Sequence, residues 1–193
     1  MTDIGFSCSC GALRGVLHEV APGNGCHLVC YCKDCRAFAR HLGHLEALDA
    51  GGGSPLVQVL PSRVEITSGV ENVACARLSA KGLHRWYASC CNTPLANTVS
   101  TPRVPLVGLW RPNFDTLEAI GPVVTQVFTR MALPGGPVKD KGIARLLGGL
   151  LKRTLAEYAT GRVHKNPFFN KDRALIVTPA ILNEAERAAA YAE

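Results

Sequence analysis

Short stretches in which apolar and polar residues alternate dominate the first hundred positions. "ALRGVLHEV" (12–20), "HLVCYC" (27–32), "LVQVL" (56–60), "RVEIT" (63–67), "VACARLS" (73–79) and "LHRWYA" (83–88) are each rich in aliphatic, aromatic or β-branched side chains. Between them stand "PGNG", "DAGGGSP", "SGVEN" and "SAKG", the residue types that supply tight turns. The pattern predicts a β-rich domain over residues 1–100. One segment departs from it, because "DCRAFARHLGHLEAL" (34–48) has the spacing of a short helix.

Residues 101–137 are rich in Pro and Gly and predict a strand or two joined by extended connections. Over 139–162 the period changes. Ile143, Leu146, Leu147, Leu150, Leu151, Leu155 and Tyr158 form one helical stripe, flanked by Arg145, Lys152 and Arg153. The stripe is expected to pack on its own domain; a basic amphipathic helix lying on a membrane is the alternative. Gly148 and Gly149 would weaken this helix in isolation by about 1 kcal/mol each. A second helix is expected over 180–191. The fold class is therefore mainly β, α+β overall. Residues 101–193 form an extension with strands and two helices, packed on the first part as one compact unit.

Composition narrows the function classes. The 193 residues are 47% hydrophobic and 19% charged, the balance of an ordinary globular chain. The start, "MTDIGFSCSC", lacks a basic segment followed by an apolar run, and no stretch approaches the ~20 apolar residues of a membrane span. The expected location is the cytoplasm. In that reducing compartment nine cysteines, an odd number, fit a disulfide framework poorly and point to metal or redox chemistry. The net charge of +6 is spread along the chain and not gathered in a block. It suits an anionic small molecule better than nucleic acid, which is not expected as a partner.

The cysteines cluster. "CYCKDCR" (30–36) holds Cys30, Cys32 and Cys35, "CSC" holds Cys8 and Cys10, and "ASCCNTP" holds Cys90 and Cys91. In Cys-x-Cys on an extended chain both side chains leave one face, and a turn at Cys-x-x-Cys can bring the next sulfur to the same point. Cys30, Cys32 and Cys35 could thus give a metal three thiolates and leave a fourth position open, as at catalytic zinc; structural zinc takes four protein ligands. Arg36 could orient a carboxylate of a peptide-like thiol, and is equally readable as a surface arginine. Lys33 and Asp34 read as turn residues, and Cys75 as a core residue. Cys26, His27, His41 and His44 lie near enough in sequence to serve as spare ligands. The Cys90–Cys91 doublet could instead be a redox pair.

The ordered motifs "CSCG" (8–11), "CYCKDCR" (30–36) and "WYASCCNTPL" (86–95), preceded by Arg85, resemble those of the glutathione-dependent formaldehyde-activating enzymes and the related centromere protein V group. The likeness covers residues 4 to about 100. It implies an Mss4-like fold of stacked antiparallel sheets around zinc, with one or two Zn²⁺ per chain. By the same likeness Cys8, Cys10 and Cys91 are structural ligands, and Cys30, Cys32 and Cys35 hold a catalytic zinc. The implied reaction joins glutathione and formaldehyde reversibly, a carbon–sulfur lyase chemistry. This chain departs from the pattern at Ala88, where the first cysteine of the late pair would fall, and Cys90 is the candidate replacement. Asn92 stands for the usual glycine after that pair, and the glycine expected soon after Cys35 is delayed to Gly43. Besides an enzyme, the same residues support a binding module in which zinc only staples the fold.

Overall fold

In the computed structural model, which describes residues 1–116, 118 and 121–192, the chain is mainly β with two sheets and three helices. Residues 117, 119, 120 and 193 lie outside the described residues, and with them small parts of the Pro- and Gly-rich stretch and of the C-terminal extension. The smaller sheet contains β1 (Thr2–Ser7), β2 (Arg14–Val20) and β5 (Val64–Ser68), antiparallel in the order β1-β2-β5.

The larger sheet has eight strands. They are β3 (Cys26–Cys30), β4 (Ser54–Val59), β6 (Val73–Arg77), β7 (His84–Ala88), β8 (Thr93–Thr98), β9 (Val107–Trp110), β10 (Thr125–Val127) and β11 (Ala180–Ile181). Their spatial order is β10-β3-β4-β9-β8-β7-β6-β11. The six inner strands pair antiparallel, whereas each edge strand is parallel to its neighbour. Strand β9 lies between β4 and β8, so the chain beyond residue 100 enters the middle of this sheet.

Every residue of β3, β8 and β9 is buried. That accounts for the mostly apolar runs of β3 and β9, since a strand covered on both faces has no solvent side to mark with polar residues, whereas β8 buries the polar Thr93, Asn97 and Thr98 as well. The smaller sheet covers one face. Between the sheets lie Phe6, Leu13, Leu17, Val57, Trp86 and Val107, with Phe168 stacked on Trp86 at 4.8 Å between ring centroids. The other face carries α1 (Lys33–Leu42) and α3 (Glu184–Tyr191), packed through Phe38, Leu42 and Ala190 onto Leu28, Leu56 and Trp110. Gly43 ends α1 in the left-handed conformation at φ 77°, which explains its position one helix length after the cysteines. Asn183 and Glu186 form a reciprocal capping box that starts α3.

The helix α2 (Ile143–Ala159) corrects the expectation from its apolar stripe. Leu147 is 59% exposed and Leu151 and Leu155 are each 61% exposed, while Arg153 and Glu157 are 9% and 1% exposed. Only Leu146 and Leu150 turn partly inward. The reason is a polar anchor. Arg153 donates from Nη1 to the Gly23 carbonyl at 3.3 Å and from Nη2 to Gln58 Oε1, and Arg162 Nε lies 3.4 Å from Glu157 Oε1. Gly149 leaves room for the guanidinium, because a Cβ there would come within 2.9 Å of Arg153 Nη1. Hydrogen bonding of buried charge overrides the pull of the leucine stripe toward the core.

Two substitutions on α2 separate these contributions. Leu155→Ala should change unfolding free energy by within about 0.5 kcal/mol, as expected of a solvent-facing position. Arg153→Ala should cost about 1–3 kcal/mol by leaving Gln58 and the Gly23 carbonyl without their donor. Urea titrations followed by circular dichroism distinguish the two, and equal losses would contradict the observed helix orientation.

Candidate functional site

The nine cysteines resolve into two groups and two isolated residues. Cys8 and Cys10 occupy the turn after β1, tightened by the hydrogen bond from the Gly11 N–H to the Cys8 carbonyl at 2.9 Å. Cys90 and Cys91 lie in the turn between β7 and β8. There the chain bends, with the Cys91 N–H donating to the Ala88 carbonyl at 3.3 Å and Asn92 at φ 57°. Asparagine tolerates this left-handed conformation better than other side-chain-bearing residues, so Asn92 can replace a glycine here. On a regular strand Cys90 and Cys91 would point to opposite faces; in this turn their sulfurs are 3.8 Å apart. Ala88, at the end of β7, is buried in the core between the sheets.

The four sulfurs of Cys8, Cys10, Cys90 and Cys91 form one group, all within 4.8 Å of one another. Cys8–Cys10, Cys8–Cys90 and Cys10–Cys90 are 3.5, 3.8 and 3.4 Å apart. A tetrahedral ion with metal–sulfur bonds of about 2.3 Å requires sulfur–sulfur edges of about 3.8 Å. The donor set therefore fits such an ion, and binding would tie the smaller sheet to the β7–β8 turn of the larger one. The Leu13 N–H donates to Cys8 Sγ at 3.3 Å. Burial tends to raise the Cys91 pKa, but hydrogen bonds from Ser9 and Thr93 hold it down to about 5. His44 sits beside this group without joining it: Nε2 donates to the Cys91 carbonyl at 3.2 Å.

The second group is built where β3 gives way to α1. Cys30 is the last residue of β3, and Cys32 is the N-cap of α1, with Sγ accepting from the Cys35 N–H at 3.4 Å. Cys35 lies in the first helical turn. The sulfurs of Cys30 and Cys32 are 3.4 Å apart, and all three lie within 4.8 Å of one another. A helix N-terminus favours negative charge, which suits thiolates. Without a cation, however, three charges cannot share this space. Contacts from Cys30 and Cys32, together with Arg85, hold the Cys35 thiol well below its usual range, and hydrogen bonding to Cys32 and Cys35 pushes Cys30 up. Cys32 is lowered by Cys30, but Cys35 and burial outweigh this and raise it to about 12. A divalent cation is the partner such a donor set accepts.

Arg85, on β7, is the charged group aimed at this cluster. It is buried, donates from Nη1 to Cys35 Sγ at 3.6 Å and to Asn97 Oδ1 at 3.0 Å, and lies 5.5 Å above the Phe38 ring. Because guanidinium only donates, it fixes the Asn97 amide with Oδ1 toward Arg85. Asn97 Nδ2 is then left buried without a partner. Arg36 faces elsewhere: it is buried on α1, and Nη1 donates to the Met131 carbonyl at 3.0 Å. Cys26 Sγ contacts Thr125 Oγ1 at 3.4 Å and His27 Nδ1 donates to the Gly121 carbonyl at 3.0 Å, both away from the three-cysteine cluster. His41 is exposed and Cys75 is in the core.

The three-cysteine cluster opens onto a cavity of about 960 Å³. Its floor is the helix-side face of the larger sheet: Leu28 and Leu56, then a row of directly paired residues, Gln58, Gly108, Asn97 and Arg85, across β4, β9, β8 and β7. Leu146, Leu147 and Leu150 of α2 form one wall, and Glu184, Arg187 and Tyr191 of α3 lie on another. Tyr191 Oη donates to Asp34 Oδ1 at 2.7 Å, joining the two helices at the cluster. Arg85 and Asn97 carried a weak signal in the sequence, as polar residues at buried positions of apolar strands. The cleft itself carried none, because its walls are assembled from segments more than 100 residues apart.

Fold and site together define a two-sheet β protein with two cysteine clusters that could each hold a metal ion, one of them facing a cleft. The chain belongs to a family of unknown function, DUF6151, whose profile matches residues 2–173. That description names no activity, so the glutathione and formaldehyde chemistry suggested by the cysteine motifs is not part of what the match establishes. No curated protein matches the chain. Among solved structures it is similar to the crystal structure of a Rhodobacter sphaeroides protein, a structural-genomics target, with 17% identity and a TM-score of 0.44, covering 62% of this chain and 97% of that one. Among the described residues no helix is long and apolar enough to cross a membrane.

The left-handed Asn92 gives a direct test of the β7–β8 turn. Asn92→Gly should leave stability unchanged or raised, whereas Asn92→Ala should lower it by about 1 kcal/mol through backbone strain. Thermal melts of the two variants measure the difference, and an unaffected Ala variant would show that the turn does not require this conformation.

Proposed function

We propose that the protein is a zinc-dependent carbon–sulfur lyase acting on thiol–aldehyde adducts, with Cys30, Cys32 and Cys35 holding the catalytic ion. Cys8, Cys10, Cys90 and Cys91 hold a second, structural zinc. One observation carries the reading: among the described residues the three-cysteine cluster includes no fourth Cys, His, Asp or Glu, and it faces a cleft large enough for a substrate. The order of the cysteine motifs, which resembles the formaldehyde-activating enzymes, supports the same chemistry.

Zinc bound by three thiolates supplies a site that acidifies a further sulfur ligand. The chain's own groups do the rest. Three thiolates exceed the charge of a divalent ion by one, and buried Arg85 beside Cys35 offsets it. The Asn97 amide is held by Arg85 at the floor of the cleft and fixes the guanidinium beside Cys35. The substrate sulfur then forms a bond to the aldehyde carbon, the carbonyl π pair moves onto oxygen, and the proton lost by the thiol ends on that oxygen. The reverse reaction breaks the same carbon–sulfur bond and releases the aldehyde. No oxidant or reductant is consumed. Arg36 contributes indirectly, by fixing the carbonyl of Met131, whose side chain lines the cleft.

Zinc per chain, measured in protein purified under reducing, chelator-free conditions, should be two. It should fall to one in Cys32→Ser and to one in Cys90→Ser, and only Cys90→Ser should lower the melting temperature markedly. Exchange between a thiol and formaldehyde, followed by NMR line shapes, should be accelerated by wild type and not by Cys32→Ser. Zinc content unaffected by Cys32→Ser would sink the catalytic reading. Two zincs with no exchange for any thiol would leave a zinc-stapled binding module.

A further inference from the structure

The proposed chemistry specifies the reacting head of the substrate and leaves its body open. The walls of the cleft bear on that body. Leu28, Leu56, Leu106, Phe128, Leu146 and Leu150 are spread over the floor and sides. The polar groups on the floor and near the cysteines are largely engaged: Arg85 by Cys35 and Asn97, Asp34 by Tyr191, and Gln58 by Arg153. Lys33 and Arg187 share the lining with Asp34 and Glu184, so the cleft has no concentration of one charge. Its rim continues the apolar character, with Phe128, Met131 and Leu147 all exposed.

A peptide thiol such as glutathione carries two carboxylates and an ammonium group. Seated with its sulfur on the cluster, it would bring these charges against leucines that cannot replace their hydration. An unbranched chain of methylenes meets the opposite situation, since it displaces water from surfaces that are already apolar. The cavity of about 960 Å³ has ample room for such a chain.

We propose that this cleft binds a medium-chain amphiphile, with one small sulfur or oxygen head at the cysteine cluster and an alkyl body along the leucines of β3, β4 and α2. The natural substrate is then an apolar thiol or its aldehyde adduct, in preference to a charged peptide thiol. The identity of the head rests on the zinc reading above; the alkyl body rests on the cleft alone.

Calorimetric titration of the full chain with 1-hexanol, 1-octanol, 1-decanol, 1-octanethiol and glutathione tests both parts. Affinity for the alcohols should rise about two- to fourfold per methylene. Gly108 supplies a variant that fills the cleft, because a Cβ there meets only the Leu56 side chain, at an ordinary 3.6 Å. Gly108→Leu should weaken octanol binding at least tenfold. Leu147→Glu, at an exposed position on the rim, should weaken it several-fold without risk to the fold. Octanethiol should bind wild type at least tenfold more tightly than it binds Cys32→Ser, whereas octanol should bind the two alike. Glutathione binding as tight as octanethiol, alcohols that do not bind, or octanol binding indifferent to both cleft variants would each overturn the proposal. Octanethiol binding wild type and Cys32→Ser alike, with the chain-length series intact, would overturn the zinc–sulfur reading and leave the alkyl cleft standing.

Discussion

The larger sheet has to be covered on both faces, and the rest of the architecture follows from that requirement. Its central strands carry apolar side chains in both directions, so neither face can be left to water. The smaller sheet closes one face through Phe6, Leu13 and Leu17. On the other, α1 and α3 cover only part of the surface, and α2 stands across from them with Leu146 and Leu150 facing the gap. The cleft is the portion of this face that the helices leave uncovered. Its apolar floor is therefore a consequence of how the sheet is built as well as a feature of binding.

The three-cysteine cluster sits at the edge of that gap because a strand ends there and a helix begins. Cys30 closes β3, Cys32 caps α1 and Cys35 lies in its first turn, so one change of secondary structure brings three sulfurs together. The same junction points backbone N–H groups toward them. Arg85 arrives from β7, on the floor of the cleft, and supplies a buried positive charge that a surface site would not need. The four-cysteine cluster has a different setting: it brings together two turns, one from each sheet, and an ion bound there would tie them.

The two clusters also differ in what surrounds the sulfurs. Cys8, Cys10, Cys90 and Cys91 offer four donors, the number a closed tetrahedral ion takes, and His44 contacts the Cys91 carbonyl instead of entering the set. Around Cys30, Cys32 and Cys35 three donors leave one direction facing a cavity. A closed thiolate tetrahedron suits structure, and an open one suits a ligand that comes and goes. The same type of side chain thus forms two settings in this chain, set apart by donor number and by access.

The mainly β class, most of the inner strands, the helix after the cysteines and the two C-terminal helices were legible in the sequence, since each depends on local periodicity and turn chemistry. Strands β1 and β8 were not read from the sequence: β1 has only Ile4 and Phe6 to mark its buried face, and β8 overlaps the third cysteine motif and mixes apolar with polar residues. The grouping of Cys30, Cys32 and Cys35 was equally local. Tertiary structure decided the remainder. It turned α2 over, because hydrogen bonds to the buried Arg153 outweigh a stripe of leucines, and no periodicity contains that information. It allowed Cys90 and Cys91 to share one site, because Asn92 bends the backbone into a left-handed turn. It put Arg85 and Asn97 beside Cys35 and left Arg36 facing the Met131 loop, through a sheet register that only long-range pairing fixes. The cleft belongs wholly to that level, since its floor and walls come from strands and helices that meet only when the chain is folded.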